Sequence, residues 1–442
     1  MGNSPDLPRE LADRFTRPFA QFVRIEAAAG VLLLLATGAA FGLANSRWSE
    51  PFLGFWETSV GIHFGSLNFS RSLQHWINDG LMTFFFFVVA LELKRELVLG
   101  ELRKLRMAAL PFFGALGGMI VPVSLYLALM VGQLGAHGWG TVMATDTAFV
   151  MGCLALFGAR IPPSLRLFLL SLAIFDDVGA ILIVAVGYGD ALNWAALAFA
   201  ALGLAAVSGA ARLGIRSVPI YFLLGGVIWL GFDASGIHAT ITGVILGLMT
   251  PTKIWVSDER LRAVFERVLS YPRGEHWSGN TTERRDLRRA GIAATEALSP
   301  LERLEMMLHP WVGFAIMPIF ALANAGVVVS SADIGHPVFA AILAGLVIGK
   351  PLGVVAFTGL ALRLGLAIKP SSLSWALIVA GACLTGIGFT MSLFIASLAY
   401  DAATLDAAKI GILSASAVSA TGGLLVLLFF TLRMPPIRGH EV

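Results

Sequence analysis

Charge is scarce in this sequence. Asp, Glu, Lys and Arg make up 13% of the 442 residues, roughly half the share of a soluble domain. Cysteine is nearly absent: Cys153 and Cys383 lie in different apolar segments, so neither a disulfide framework nor a cysteine-based zinc motif is suggested, and two buried, inert thiols are expected. No glycine-rich nucleotide loop is present, so coupling to ATP is not expected. A cleavable leader is not expected either. The first apolar run, after Arg9, Arg14, Arg17 and Arg24, is too long and lacks a small-residue cleavage site, so it reads as a retained membrane helix.

What fills the chain is apolar residues, 57% of the total. Apolar blocks recur from Ile25 to Phe430, many close to the ~20 residues that cross a bilayer as a helix. The polar punctuation divides them into twelve expected spans. The first six are 25–45, 77–93, 107–131, 142–157, 165–188 and 194–211, and the second six are 219–232, 238–249, 311–329, 338–362, 373–399 and 410–432. With the N-terminus inside, 27 of the 31 Lys and Arg fall on the cytoplasmic side. Arg47, Arg71 and Lys409 fall outside, and Lys350 falls within a span. The positive-inside rule therefore favours twelve spans with both termini cytoplasmic. The expected organisation is a cytoplasmic segment 1–24, a single membrane domain 25–433 and a cytoplasmic tail 434–442.

Two stretches outside the spans carry their own signals. In the outer stretch 46–74, alternation at Val60, Ile62, Phe64, Leu67 and Phe69 around Gly65-Ser66 predicts a β-hairpin. In the cytoplasmic stretch 252–309, Ser257-Asp258-Glu259 caps an expected amphipathic helix. Further on, Ser299-Pro300-Leu301-Glu302 is a capping box with proline at the first helical position, so a helix should run from there through Glu305. The segment reads as a surface-lying linker rather than a separate folded domain.

Against this apolar background four ionisable residues stand out: Asp146, Asp176, Asp177 and Lys350. Each costs roughly 2.5–3.5 kcal/mol at membrane depth, so the four together cost on the order of 10 kcal/mol. Pairing one Asp with Lys350 leaves two carboxylates unmatched, which favours function over structural pairing. Neighbours on a helix diverge by roughly 100°, so one carboxylate of Asp176-Asp177 can face Lys350 while the other faces an aqueous cavity. Such a coupled pair holds either protons or a small hard cation, with Thr145 and unwound backbone as further oxygen ligands.

Poor helix formers at Thr145-Asp146-Thr147 interrupt the fourth span, and Gly381, Gly386 and Gly388 surround Thr385 and Thr390 in the eleventh. Broken helices in matching places of two halves point to a transport site. The units formed by spans three to five and ten to twelve have opposite topology, and Asp146 can compensate the facing positive helix ends of a crossed pair.

At these residues the chain resembles the NhaA family of bacterial sodium/proton antiporters, itself a known instance of that inverted-repeat architecture. The resemblance runs through Trp76-Ile77-Asn78-Asp79-Gly80, Leu91-Glu92-Leu93-Lys94-Arg95-Glu96, Ala144-Thr145-Asp146 and Asp176-Asp177-Val178-Gly179. It continues through Ser235-Gly236-Ile237-His238-Ala239-Thr240, Leu308-His309-Pro310-Trp311, Asn324-Ala325-Gly326, Gly349-Lys350-Pro351 and Gly386-Ile387-Gly388-Phe389-Thr390. It implies an all-α polytopic protein of twelve helices, two inverted repeats and unwound fourth and eleventh helices that cross. It implies Asp177 as the primary carboxylate for sodium or lithium, Asp176 as the partner of Lys350, and Asp146 with Thr145 at the crossing. It further implies Glu92, Glu96, Glu305 and His238 in the pH response, a homodimer joined partly by the outer hairpin, a place in the bacterial inner membrane, and no cofactor. The longer N-terminus and the longer segment between the eighth and ninth spans depart from the family pattern.

Other classes fit less well. A retinal-binding pump resembles seven-helix proteins with the lysine in the last helix, whereas Lys350 lies in the tenth of twelve. An intramembrane aspartyl protease needs carboxylates from separate helices, and no Gly-x-Gly-Asp motif occurs. A transporter of organic solutes needs a larger polar pocket than one deep cation provides.

Overall fold

A computed structural model describes residues 26–64, 67–100, 103, 105–189, 191–215, 217–271 and 281–433. The N-terminal arginines and the Gly65-Ser66 turn lie outside these residues. Eight helical segments are long and apolar enough to cross a membrane: Leu73–Val98, Arg106–Leu129, Pro163–Ala185, Trp194–Arg212, Val218–Ser235, Pro300–Asn324, Pro337–Arg363 and Ala402–Leu432. Bent pairs raise the number to at most ten. The expected fourth and eighth spans appear as nine-residue helices, Thr147–Ala155 and Ile241–Met249, shorter than a bilayer requires. Helix length alone thus accounts for eight to ten spans among the described residues.

The expected breaks are real. The fourth helix is interrupted between a 3-10 stretch, Ala136–Val142, and Thr147–Ala155. The eleventh divides into Trp375–Thr385 and Phe389–Ala399, bent by 41°. Gly386 and Gly388 lie at that break, whereas Gly381 lies within the first half. There Gly381 packs against Leu165 and Leu169, so it serves close helix contact rather than interruption. The last helix starts at Ala402 and carries Lys409 inside it, buried. Lys409 therefore belongs to the packed body and not to an outer loop.

Close packing fixes the helix that bears Lys350. Helix Leu105–Leu129 and helix Lys350–Arg363 meet at Gly117 and Gly353, and a Cβ on either glycine would run into the backbone of the other. A π-helical turn, Gly345–Gly349, precedes Lys350, a local rewinding often found at functional positions. Gly349 in turn sits against Pro122. With no room for side chains at these contacts, the two backbones approach closely enough to bury the lysine between them.

The hairpin forms from strands Ser59–Phe64 and Leu67–Ser72, antiparallel with Val60 opposite Arg71. Trp76 holds it to the helical body: its indole donates to the Val60 carbonyl at 2.8 Å and its ring stacks on Trp229. On the polar segment, Ser257 caps helix Asp258–Leu269 as expected. The Ser299–Glu302 capping box starts helix Pro300–Trp311, which continues through Asn324.

A second helix, Thr282–Glu296, packs on Asp258–Leu269. It escapes a hydropathy reading because its buried face is made of Ala290, Ala293 and Asp286. The Asp286 carboxylate accepts from the Tyr271 hydroxyl at 2.6 Å and pairs with Arg267 and Arg289. The Tyr271 hydrogen bond first, and the guanidiniums after it, hold this carboxyl below the usual Asp range, against the opposing effect of burial. A depressed folded-state pKa contributes stability above the unfolded value of about 3.9 that is lost as pH falls through the folded value. Asp286→Asn at neutral pH should speed amide exchange in Thr282–Glu296 while leaving the membrane helices protected. Unchanged exchange there would show that the cluster does not hold the pair.

Candidate ion site at the crossing of two broken helices

Both breaks meet on the same aspartate. Asp146 N-caps helix Thr147–Ala155 by accepting the Phe149 N–H at 3.0 Å on Oδ1. Its Oδ2 accepts the Thr390 N–H at 3.1 Å and the Thr390 hydroxyl. Thr390 lies in the first turn of Phe389–Ala399, so one carboxylate serves the positive ends of two half-helices. The Asp146 N–H donates to the Ile387 carbonyl at 2.7 Å, and Ser392 donates to the Thr141 carbonyl at 2.6 Å. These bonds satisfy backbone groups that unwinding would otherwise leave bare in an apolar medium.

Asp176 and Asp177 lie within helix Pro163–Gly187. Asp176 Oδ2 is 3.0 Å from Lys350 Nζ, and both side chains are fully buried. Lys350 also donates to the Met143 carbonyl at the fourth-helix break. The Thr145 hydroxyl lies 2.6 Å from Asp176 Oδ2 and 3.1 Å from the Thr385 carbonyl; its single proton serves one of them at a time. The broken fourth helix and the Lys350 helix therefore converge on Asp176, and the first half of the eleventh joins them through Thr145.

Asp177 points elsewhere, as the ~100° step between neighbours requires. It is 5% exposed where Asp176 is 0%, and its Oδ1, like Asp176 Oδ1, finds no hydrogen-bond donor among the described residues. A buried acceptor left bare costs roughly 1–3 kcal/mol, and more when charged. Two such oxygens on adjacent residues form a local concentration of unsatisfied acceptor capacity, which a proton or a small cation can relieve.

The four remaining residues singled out by sequence divide into two places. Glu92, Glu96 and Glu305 come together: Arg95 pairs with Glu305 and, at 3.1 Å, with Glu96, while His309 lies 3.5 Å from Glu92. Arg95 and His309 escaped the site reading because flanking bases near a span end look like ordinary orientation signals. His238 is not in that group. It sits in the loop after Gly236, whose left-handed φ of 82° ends helix Val218–Ser235, and its Nε2 contacts the Tyr188 carbonyl at 2.7 Å.

A charge pair sealed from solvent makes a testable claim about stability. Lys350→Gln alone should destabilise the protein by about 3–5 kcal/mol, because it leaves a buried carboxylate uncompensated. Adding Asp176→Asn should recover a large part of that loss. Thermal melting of both single variants and the double variant in detergent gives the coupling, and simple additivity would contradict the ion pair.

A family model for Na+/H+ antiporter 1 matches residues 20–427. The Na(+)/H(+) antiporter NhaA of Rhizobium meliloti (strain 1021) is 61% identical over 425 residues, 96% of this chain and 97% of that protein. The Na(+)/H(+) antiporter NhaA 1 of Acidiphilium cryptum (strain JF-5) is 59% identical over 428 residues, 97% of this chain and 95% of its own length. The Na(+)/H(+) antiporter NhaA 2 of Vibrio vulnificus (strain CMCP6) is 52% identical over 431 residues, 98% and 96% of the two chains. These relatives are named as transporters rather than enzymes, and the match spans nearly the whole of each chain: this protein belongs to the NhaA family of Na+/H+ antiporters.

Proposed function

We propose that this protein exchanges sodium or lithium for protons across the bacterial inner membrane, with Asp176 and Asp177 as the shared site. The observation that carries this reading is the pair of bare, buried carboxylate oxygens beside the Asp176–Lys350 bridge. Family membership supports sodium/proton exchange as the activity. Hard monovalent cations suit carboxylate, hydroxyl and carbonyl oxygens, and Asp177, Thr145 and the unwound backbone near Met143 and Thr385 offer all three. Asp177 is the primary cation ligand. Asp176 joins it when Lys350 releases the bridge or gives up its own proton.

The proton-loaded site carries Asp176 and Asp177 neutral, and the cation-loaded site carries both ionised. More than one proton then leaves for each sodium, and exchange moves net charge. A membrane potential drives such exchange at roughly 2.3 kcal/mol per charge per 100 mV. Access alternates by motion of the crossed helices, with Asp146 keeping their facing ends neutralised throughout.

The full architecture in this proposal is twelve spans in one membrane domain, 25–433, with inverted repeats and both termini cytoplasmic. The short helices Thr147–Ala155 and Ile241–Met249 then complete their spans with unwound backbone packed inside protein, which is tolerated at membrane depth. Glu92, Glu96 and Glu305, clustered with Arg95 and His309, form the cytoplasmic part of the pH response, and His238 contributes from its separate loop. The protein works as a homodimer joined in part through the hairpin.

Asp177→Asn removes the charge at the primary ligand and preserves its size. It should abolish both sodium-driven proton flux in everted vesicles and sodium-driven current on a supported membrane, at normal expression and folding. Retention of either activity at the wild-type level would overturn the assignment of Asp177. Plain proton flux without current in the wild type would leave a one-for-one exchanger.

A further inference from the structure

A second polar cluster lies where the hairpin joins the helical body. Arg71, at the end of strand Leu67–Ser72, reaches Asp233 in helix Val218–Ser235 at 2.6 Å through Nη2. Its Nη1 also contacts His75 Nε2. The same His75 Nε2 lies 2.8 Å from Asp79 Oδ2, on the π-helical turn Trp76–Leu81. One nitrogen thus faces a donor and an acceptor together. If Nε2 keeps its lone pair for Arg71, its contact with Asp79 sets one acceptor against another; if it carries a proton for Asp79, Arg71 meets an N–H. Nε2 can serve only one of these two neighbours at a time, so the imidazole is shared between Arg71 and Asp79.

The ligand chemistry suits a metal ion. A ligand atom from each of His75, Asp79 and Asp233 lies within 4.8 Å of the others. Zinc takes imidazole nitrogen and carboxylate oxygen at about 2.0–2.2 Å, which places neighbouring ligand atoms of a tetrahedral site ~3.4 Å apart. His75 Nε2 and Asp79 Oδ2, at 2.8 Å, are already closer than this and must part slightly, while more distant ligand atoms draw in; His75, with a side chain 42% exposed, has room to turn. The Asp79 and Asp233 side chains are far less exposed, at 11% and 10%, so the ion would rest against two largely buried carboxylates. Arg71 is the only other cation recorded in contact with these groups among the described residues, and it occupies the place a metal would take.

We propose that His75, Asp79 and Asp233 form a divalent transition-metal site of the zinc class, in which the metal displaces Arg71 and so loosens the hairpin's ionic tie to helix Val218–Ser235. Three protein ligands leave a fourth position for water, the pattern of an exchangeable site rather than a closed structural one. The site shares no residue with the Asp176–Asp177–Lys350 centre and does not depend on the exchange reading.

The test uses the full chain in detergent, with any affinity tag removed, and Zn2+ as the probe. Equilibrium dialysis at pH 7.5 should give about one zinc per chain. His75→Gln and Asp233→Asn should each weaken binding by tenfold or more. Arg71→Gln removes the competing cation and should tighten binding at least tenfold, an effect that adventitious surface binding does not produce. Zinc-edge absorption should show one imidazole among oxygen ligands. Failure of both wild type and Arg71→Gln to bind would overturn the proposal, even if the His75 variant does not fold. Equal binding by wild type and the His75 and Asp233 variants would place the zinc elsewhere and overturn it as well.

Discussion

The ion pair between Lys350 and Asp176 sets the terms for the centre of this molecule, because both side chains are wholly buried and 3.0 Å apart. Neither charge is tolerable alone in such a place. Desolvation of an ion costs several kcal/mol, and mutual attraction offsets it only when further hydrogen bonds complete the geometry. Those further bonds come from the Met143 carbonyl and the Thr145 hydroxyl, so the pair requires an unwound fourth helix to supply them. Unwinding frees helix ends, and Asp146 is held where it can cap two of them. The break, the crossing and the buried pair are therefore one construction.

Asp177 is the residue this construction leaves over. Its neighbour is committed to Lys350, Thr145 serves that neighbour, and the capping donors are committed to Asp146. A carboxylate so placed is a poor contributor to stability and a good receptor for a cation or proton. Asp176 is itself only half committed: its Oδ2 anchors the site through Lys350, while its Oδ1, like that of Asp177, is left without a donor among the described residues.

Much of this was legible in the sequence, for reasons that differ by feature. Intramembrane charge is so costly that Asp146, Asp176, Asp177 and Lys350 stand out without any structure, and Thr145-Asp146-Thr147 marks a break through helix propensity alone. The capping box at Ser299 and the hairpin alternation are local signals, and both elements appear at those places. Gly381, Gly386 and Gly388 look alike in sequence, yet only the last two lie at the break, because close packing and chain interruption use the same residue type. Long-range partnerships were not legible. Nothing local links Arg95 to Glu305, Thr390 to Asp146 or Arg71 to Asp233. The count of spans is the least direct reading, since nine-residue helices cross a membrane only with help from their neighbours.

The central claim is that protons and the transported cation occupy the same two carboxylates and exclude one another. It is tested most directly by the apparent sodium affinity of exchange, measured in vesicles across a pH series. Competition predicts that affinity weakens as pH falls, by up to about tenfold per pH unit for each competing proton. A sodium affinity that stays flat from acid to alkaline pH would contradict the account.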